Sequence, residues 1–174
     1  GDGESESRTL TQAERDLLKQ FTQELETNQE RDPKYHRILD LLANDGWLDR
    51  GCIIFSQYFD SLYWLGSQLI GDFPQERIGL YAGSGHSGLW EGGRFHSIDR
   101  DRLKAMVKSG ELRLLLGTDA ASEGLNLQRL GTLINLDLPW NPTRLEQRKG
   151  RIQRIGQVFP EVWVYNLRYE GSVE

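Results

Sequence analysis

From residue 52 to residue 167 the chain alternates short apolar runs with longer stretches of helical periodicity. That alternation restricts the fold more than any other feature. The runs occupy residues 52–55, 77–81, 112–116, 132–136 and 162–167. The first, Cys-Ile-Ile-Phe, has the β-branched and aromatic character of a strand buried on both faces. Between the runs, Leu62, Trp64, Leu65, Leu69 and Ile70 recur at helical intervals, and helices are also predicted over 98–108 and 143–154. Strands alternating with helices predict an α/β fold whose mainly parallel central sheet is covered on both sides.

Upstream, Thr11 and Glu14 have capping-box spacing, and Leu17, Leu18, Phe21 and Leu25 follow at helical intervals, so an N-terminal helix is expected to about residue 27. Residues 1–10 read as a tail and the polar residues up to 32 as a linker, which puts the main domain at 33–174. Pro33 suits the first turn of a second helix with Tyr35, Ile38, Leu39, Leu41 and Leu42 as its stripe, ended by Asn44, Asp45 and Gly46. Residues 82–97 are rich in glycine with little apolar pattern and read as a surface insertion.

With 37% hydrophobic and 27% charged residues, composition excludes a disordered chain. No apolar run approaches the roughly 20 residues needed to cross a bilayer, so no membrane partner is expected. A lone cysteine, Cys52, fits a reducing, intracellular setting. His36, His86 and His96 show no ligand spacing with it, and no metal site is expected. The net charge of −5 argues against nucleic acid until its distribution is considered: residues 1–99 carry −8 and residues 100–174 carry +3. Arg144, Arg148, Lys149, Arg151 and Arg154 face one acid, Glu146, across eleven positions.

Three stretches carry candidate chemistry. If Thr143 opens a helix, Gln147, Arg151 and Arg154 fall at i, i+4 and i+7 on one face. Two guanidinium groups there would suit a shared phosphate, because the planar fork stays charged and pairs with phosphate oxygens; a solvated basic face is the plainer reading. Next, the run at 114–116 leads into Gly117, Thr118, Asp119, Ser122, Gly124 and Asn126, where an open α/β sheet places ligands beyond its strand ends. Thr118 would donate to a backbone phosphate, Gly124 would allow close approach, and Asn126 would offer an amide to a ribose, or the segment is an ordinary connection capped by Thr118 or Asp119. Last, Ser56 and Gln57 end the first strand in polar groups able to hold a nucleic-acid backbone or merely cap the following helix.

In this order and spacing, the three stretches resemble motifs IV, V and VI of superfamily-two helicases and translocases. Gln147-Arg-Lys-Gly-Arg151-Ile-Gln-Arg154 followed by Ile-Gly-Gln157 is similar to motif VI of the Swi/Snf-like, RapA-like branch, and the run from Thr118 to Gln128 to its motif V. Tyr81, Gly83 and Arg100 fit a short motif between IV and V, and the end of the chain from Val164 resembles the segment after motif VI. The resemblance covers about residues 33–174. It implies a three-layer RecA-like second lobe that meets ATP across a cleft from a first lobe. Arg151 and Arg154 would act as arginine fingers, with Gln147 coupling to the first lobe. Gly124 and Asn126 would lie near the ribose, and Ser56, Gln57, Arg100 and Thr118 would hold a nucleic-acid strand, duplex DNA favoured. No phosphate-binding loop of the Gly-x-x-x-x-Gly-Lys-Ser/Thr type and no Asp-Glu pair occurs. The resemblance therefore places Mg²⁺ in the first lobe and predicts that this chain is inactive alone. An RNA helicase lobe, or a non-catalytic nucleotide-binding or protein-interaction module, is the alternative.

Overall fold

The capping box forms as the sequence predicts: the Glu14 amide donates to Thr11 Oγ1 at 3.2 Å and the Thr11 amide to Glu14 Oε2 at 3.3 Å, opening helix α1 (Gln12–Asn28). The computed structural model describes residues 11–28, 32–83, 85–119, 125, 127–139, 141–153 and 156–167. The expected tail and most of the linker lie outside these, as does the end of the chain from 168. Helix α2 (Pro33–Leu39) starts with Asp32 accepting from the Lys34 amide at 3.0 Å and Pro33 in its first turn. It widens into a π turn over Asp40–Asn44, which sequence periodicity did not indicate. Gly46 then takes a left-handed conformation, and a one-turn helix α3 (Trp47–Arg50) follows.

The remaining elements are β1 (Cys52–Ser56), α4 (Phe59–Asp72), β2 (Ile78–Tyr81), β3 (Gly88–Glu91), β4 (Arg94–Ser97), α5 (Arg100–Ser109), β5 (Leu114–Thr118), β6 (Thr132–Asn135), α6 (Pro142–Ile152) and β7 (Trp163–Asn166). Among the described residues they form a seven-stranded sheet in the order β4-β3-β2-β5-β1-β6-β7. The five strands from β2 to β7 are parallel, and β3 and β4 extend the sheet antiparallel.

Successive side chains of the central strands point to opposite faces, and both faces are covered. Cys52, Ile54, Leu114 and Leu116 pack with Tyr35, Ile38, Leu62, Leu65 and Leu69 of α2 and α4. Ile53, Phe55, Leu115 and Leu133 pack with Leu103 and Val107 of α5 and Ile152 of α6. This is the three-layer α/β arrangement expected from the sequence.

Two expectations require correction. Residues 82–97 are not a surface insertion, because β3 and β4 lie within them and join the sheet. Trp90 is 2% exposed and lies over Gly66 of α4, where a Cβ would come within 2.3 Å of its ring. Gly92 and Gly93, both at positive φ, make the hairpin turn that L side chains resist. Glycine supplied close approach and turn geometry here, and its abundance hid the strands. Helix α6 does not begin at Thr143: Asn141 caps it by accepting from the Thr143 amide at 3.0 Å, Pro142 occupies the first turn, and the helix ends at Ile152.

Candidate functional site at the carboxyl edge of the sheet

Parallel pairing in register aligns the carboxyl ends of three central strands. Ser56 of β1 lies opposite Thr118 of β5, and Phe55 lies opposite Asn135 of β6. Helix α6 starts beside this edge and runs back along the sheet. Its inward face carries Arg148 and Ile152, one turn apart.

Arg148 is 2% exposed and organises the edge. Its guanidinium forks onto Asp119 just past β5, with Nη2 donating to Oδ2 at 2.6 Å and Nε to Oδ1. Nη1 donates to Asn135 Oδ1 at 2.9 Å and to the Asp137 carbonyl at 2.8 Å, and Nη2 lies 3.5 Å from Asp137 Oδ1. Below, the guanidinium sits 5.5 Å from the centre of the Phe55 ring. The Asp137 carboxylate meanwhile accepts from the Ser56 hydroxyl and from the Gln57 amide at 3.1 Å, and the Gln57 side chain reaches it at 3.4 Å. Ser56 Oγ in turn accepts from the Tyr58 amide at 3.0 Å. Asn135 extends the network by donating to Asn166 Oδ1 of β7 at 2.7 Å. One buried cation therefore ties together the ends of β1, β5 and β6, and a buried charge is tolerable only with such partners.

The predicted site residues separate into two groups. Ser56, Gln57 and Thr118 stand at the carboxyl edge, with Ser56 and Thr118 buried and Gln57 half-buried. Arg100 is exposed in the first turn of α5, its guanidinium 5.8 Å from the ring of Tyr81 at the end of β2. Gln147 and Arg151 belong to a different face of α6, since a helix turns about 100° per residue; Gln147 is exposed and Arg151 half-buried. Among the described residues Arg151 has no carboxylate within ion-pair distance. Its carbonyl accepts from the Leu127 amide at 2.9 Å, and the Gln128 carbonyl accepts from the Val158 amide at 3.0 Å, so the segment after β5 is stitched to the end of α6. Gly124, Asn126 and Arg154 lie outside the described residues.

Sequence reasoning passed over Arg148, Asp119, Asn135 and Asp137 as a set. Arg148 counted among the surface basic residues, although it is buried and paired. The available signal was its i, i+4 spacing to apolar Ile152, together with polar Asn135 and Asp137 at the end of an apolar strand. A groove of about 600 Å³ lined by Lys149, Gln153, Gln157, Phe159 and Trp163 lies at the opposite, amino end of β7. Ser56, Gln57, Thr118, Gln147 and Arg151 are not among its walls.

The family model for the helicase conserved C-terminal domain matches residues 33–156. The chain belongs to this helicase C-terminal family. The RNA polymerase-associated protein RapA of Yersinia pestis (strain Pestoides F) is 34% identical to the helicase lobe over 159 residues, covering 86% of this chain and 15% of RapA. The uncharacterized ATP-dependent helicase YqhH of Bacillus subtilis (strain 168) is 45% identical over 82 residues, covering 47% of this chain and 14% of that protein. The chain thus spans about one-seventh of the length of these relatives. Both agree with the RapA-like, Swi/Snf-like resemblance drawn from the motifs. The lobe shares its fold with the C-terminal part of the Fun30 ATPase domain (TM-score 0.60, 21% identity, 79% of this chain and 40% of that one). It also shares it with the C-terminal domain of the DEAD-box protein Dbp5 (TM-score 0.56, 20% identity, 79% and 71%). No described helix is long and apolar enough to cross a membrane.

Proposed function

We propose that this chain is the second motor lobe of an ATP-dependent translocase acting on nucleic acid, with duplex DNA the favoured track. The observation that carries the reading is the division of labour on α6. Arg148 and Ile152 anchor the helix, while Gln147 and Arg151 occupy another face on which Arg151 has no carboxylate partner among the described residues. A half-buried arginine held on an anchored helix fits an anionic phosphate, and in phosphoryl transfer such a group stabilises charge developing on the γ-phosphate. Arg151 and Arg154 are then the arginine fingers and Gln147 the contact to the first lobe. Gly124 and Asn126 serve the ribose. Ser56, Gln57, Thr118 and Arg100 contact the nucleic-acid backbone. The phosphate-binding loop and the Mg²⁺ ligands come from the first lobe, so closure of the two lobes completes the site.

The test is an ATPase assay of the full-length protein with duplex DNA, single-stranded DNA and RNA compared. Arg151→Ala is expected to lower stimulated turnover by on the order of 10³-fold or more, with duplex DNA the strongest activator. Wild-type turnover in that variant would reduce Arg151 to a solvated surface charge. Stimulation by RNA alone would move the lobe to the RNA helicases. The isolated chain is expected to hydrolyse no ATP, and sustained turnover by it would overturn the two-lobe reading.

A further inference from the structure

One residue, Asp137, contacts the anchors of both groups of site residues. Asp137, two residues past β6, holds the Ser56 hydroxyl and the Gln57 amide at the end of β1. Its carbonyl accepts from Arg148 at 2.8 Å, and its Oδ1 lies 3.5 Å from Arg148 Nη2. Arg148 and Arg151 are three residues apart on α6, about 4.5 Å along a helix that transmits displacement as a rod. Asp119 pins the other side of Arg148 to the end of β5.

We infer that Asp137 is a positioning residue that passes strand engagement at Ser56 and Gln57 through Arg148 to the arginine-finger helix. The inference rests on the proposed motor function. When a nucleic-acid backbone competes for the Ser56 hydroxyl or the Gln57 amide, the Asp137 carboxylate loses donors on its β1 side. Its interaction with the guanidinium, the nearby cation, strengthens in consequence. The response is a shift of Arg148 toward Asp137, resisted by the Asp119 fork, and with it a change in the placement of Arg151. No bond is made or broken in this step; hydrogen-bond partners are exchanged.

Asp137→Asn in the full-length protein tests the relay. The amide is isosteric but has one acceptor oxygen and a donor where the carboxylate had a second acceptor. Gln57 and Arg148 share Oδ1 while Ser56 donates to Oδ2. The amide therefore keeps one oxygen for Gln57 and Arg148 but turns a donor toward Ser56, and it loses the charge that draws the guanidinium. The fork to Asp119 keeps α6 seated, so turnover without nucleic acid and the KM for ATP are expected to stay at wild-type values. The ratio of stimulated to unstimulated kcat is expected to fall by on the order of 10- to 100-fold, the scale of a catalytic group misplaced by about an ångström. Asp137→Glu, which restores the carboxylate, should recover part of that ratio. Nucleic acid that binds the native state can only raise the folded fraction in the stimulated arm, so a loss of stability would raise the ratio and cannot imitate its fall. A wild-type ratio in Asp137→Asn, or equal falls in both rates, would overturn the inference and leave Asp137 a structural residue. The motor reading itself fails if the wild-type full-length protein shows no turnover stimulated by nucleic acid, and that outcome is distinct from a silent Asp137→Asn beside a stimulated wild type and an inactive Arg151→Ala.

Discussion

Replacing Arg148 by methionine keeps much of the apolar stem and deletes the guanidinium. The structure defines what is lost: the two-toothed fork to Asp119, whose side chain is only 9% exposed, and single bonds to Asn135 and the Asp137 carbonyl. Arg148 is 2% exposed, so its partners are shielded from bulk solvent. The Asp119 carboxylate would stay at the sheet edge without its counter-charge. Breaking a buried pair by removing one partner costs about 3–5 kcal/mol. At roughly 2–4 °C per kcal/mol for a domain near this size, the unfolding midpoint should fall by about 6–20 °C. Urea denaturation of the purified chain gives the free energy, and thermal unfolding gives the midpoint. Asp119→Asn and the double variant complete a cycle, with a coupling expected at the upper end of about 0.5–3 kcal/mol for residues in contact. A loss under about 1 kcal/mol in Arg148→Met, or strict additivity in the cycle, would refute the view that this pair anchors α6.

Gly66→Ala should destabilise the fold by about 1–3 kcal/mol in urea, because its Cβ would come within 2.3 Å of Trp90 at the buried base of the hairpin; a neutral result would mean that the hairpin shifts freely. The Cys52 thiol is fully buried and its pKa is pushed up to about 12 by desolvation. A thiol reagent at pH 8 should therefore react only as the chain opens, at the rate measured by hydrogen exchange of β1, and immediate labelling of the native chain would contradict that burial. The same shift sets a direction for stability. The unfolded thiol ionises near pH 9 while the folded one remains protonated, so this contribution is intact below pH 9 and is lost as pH rises toward 12. Cys52→Ala should flatten the alkaline fall in stability, which a denaturation series from pH 8 to pH 11 would detect.

The helices were legible wherever local chemistry decides them: Thr11 with Glu14, Pro33, and the apolar spacing from Leu62 to Ile70 all marked elements that form. Strands β3 and β4 were not, because Gly88, Gly92 and Gly93 read as loop while Trp90 is covered by Gly66 and Tyr63 of a helix twenty-odd residues earlier in the chain. The placement of Ser56 and Thr118 at strand ends, with Gln57 just beyond, followed from the apolar runs before them, and that of Gln147 and Arg151 on one helix from their spacing. The residue that unites them, Arg148, sits beside Gln147 in sequence and reads as one more surface cation.

By itself, the sequence determined the alternating α/β plan and the motif set that marks a helicase C-terminal lobe, because periodicity and capping act over a few residues. Only the tertiary structure decided which arginine of α6 is buried and which faces outward. That choice depends on Asp119, Asn135 and Asp137, which come from two other parts of the chain and meet Arg148 only after parallel pairing aligns the ends of β1, β5 and β6.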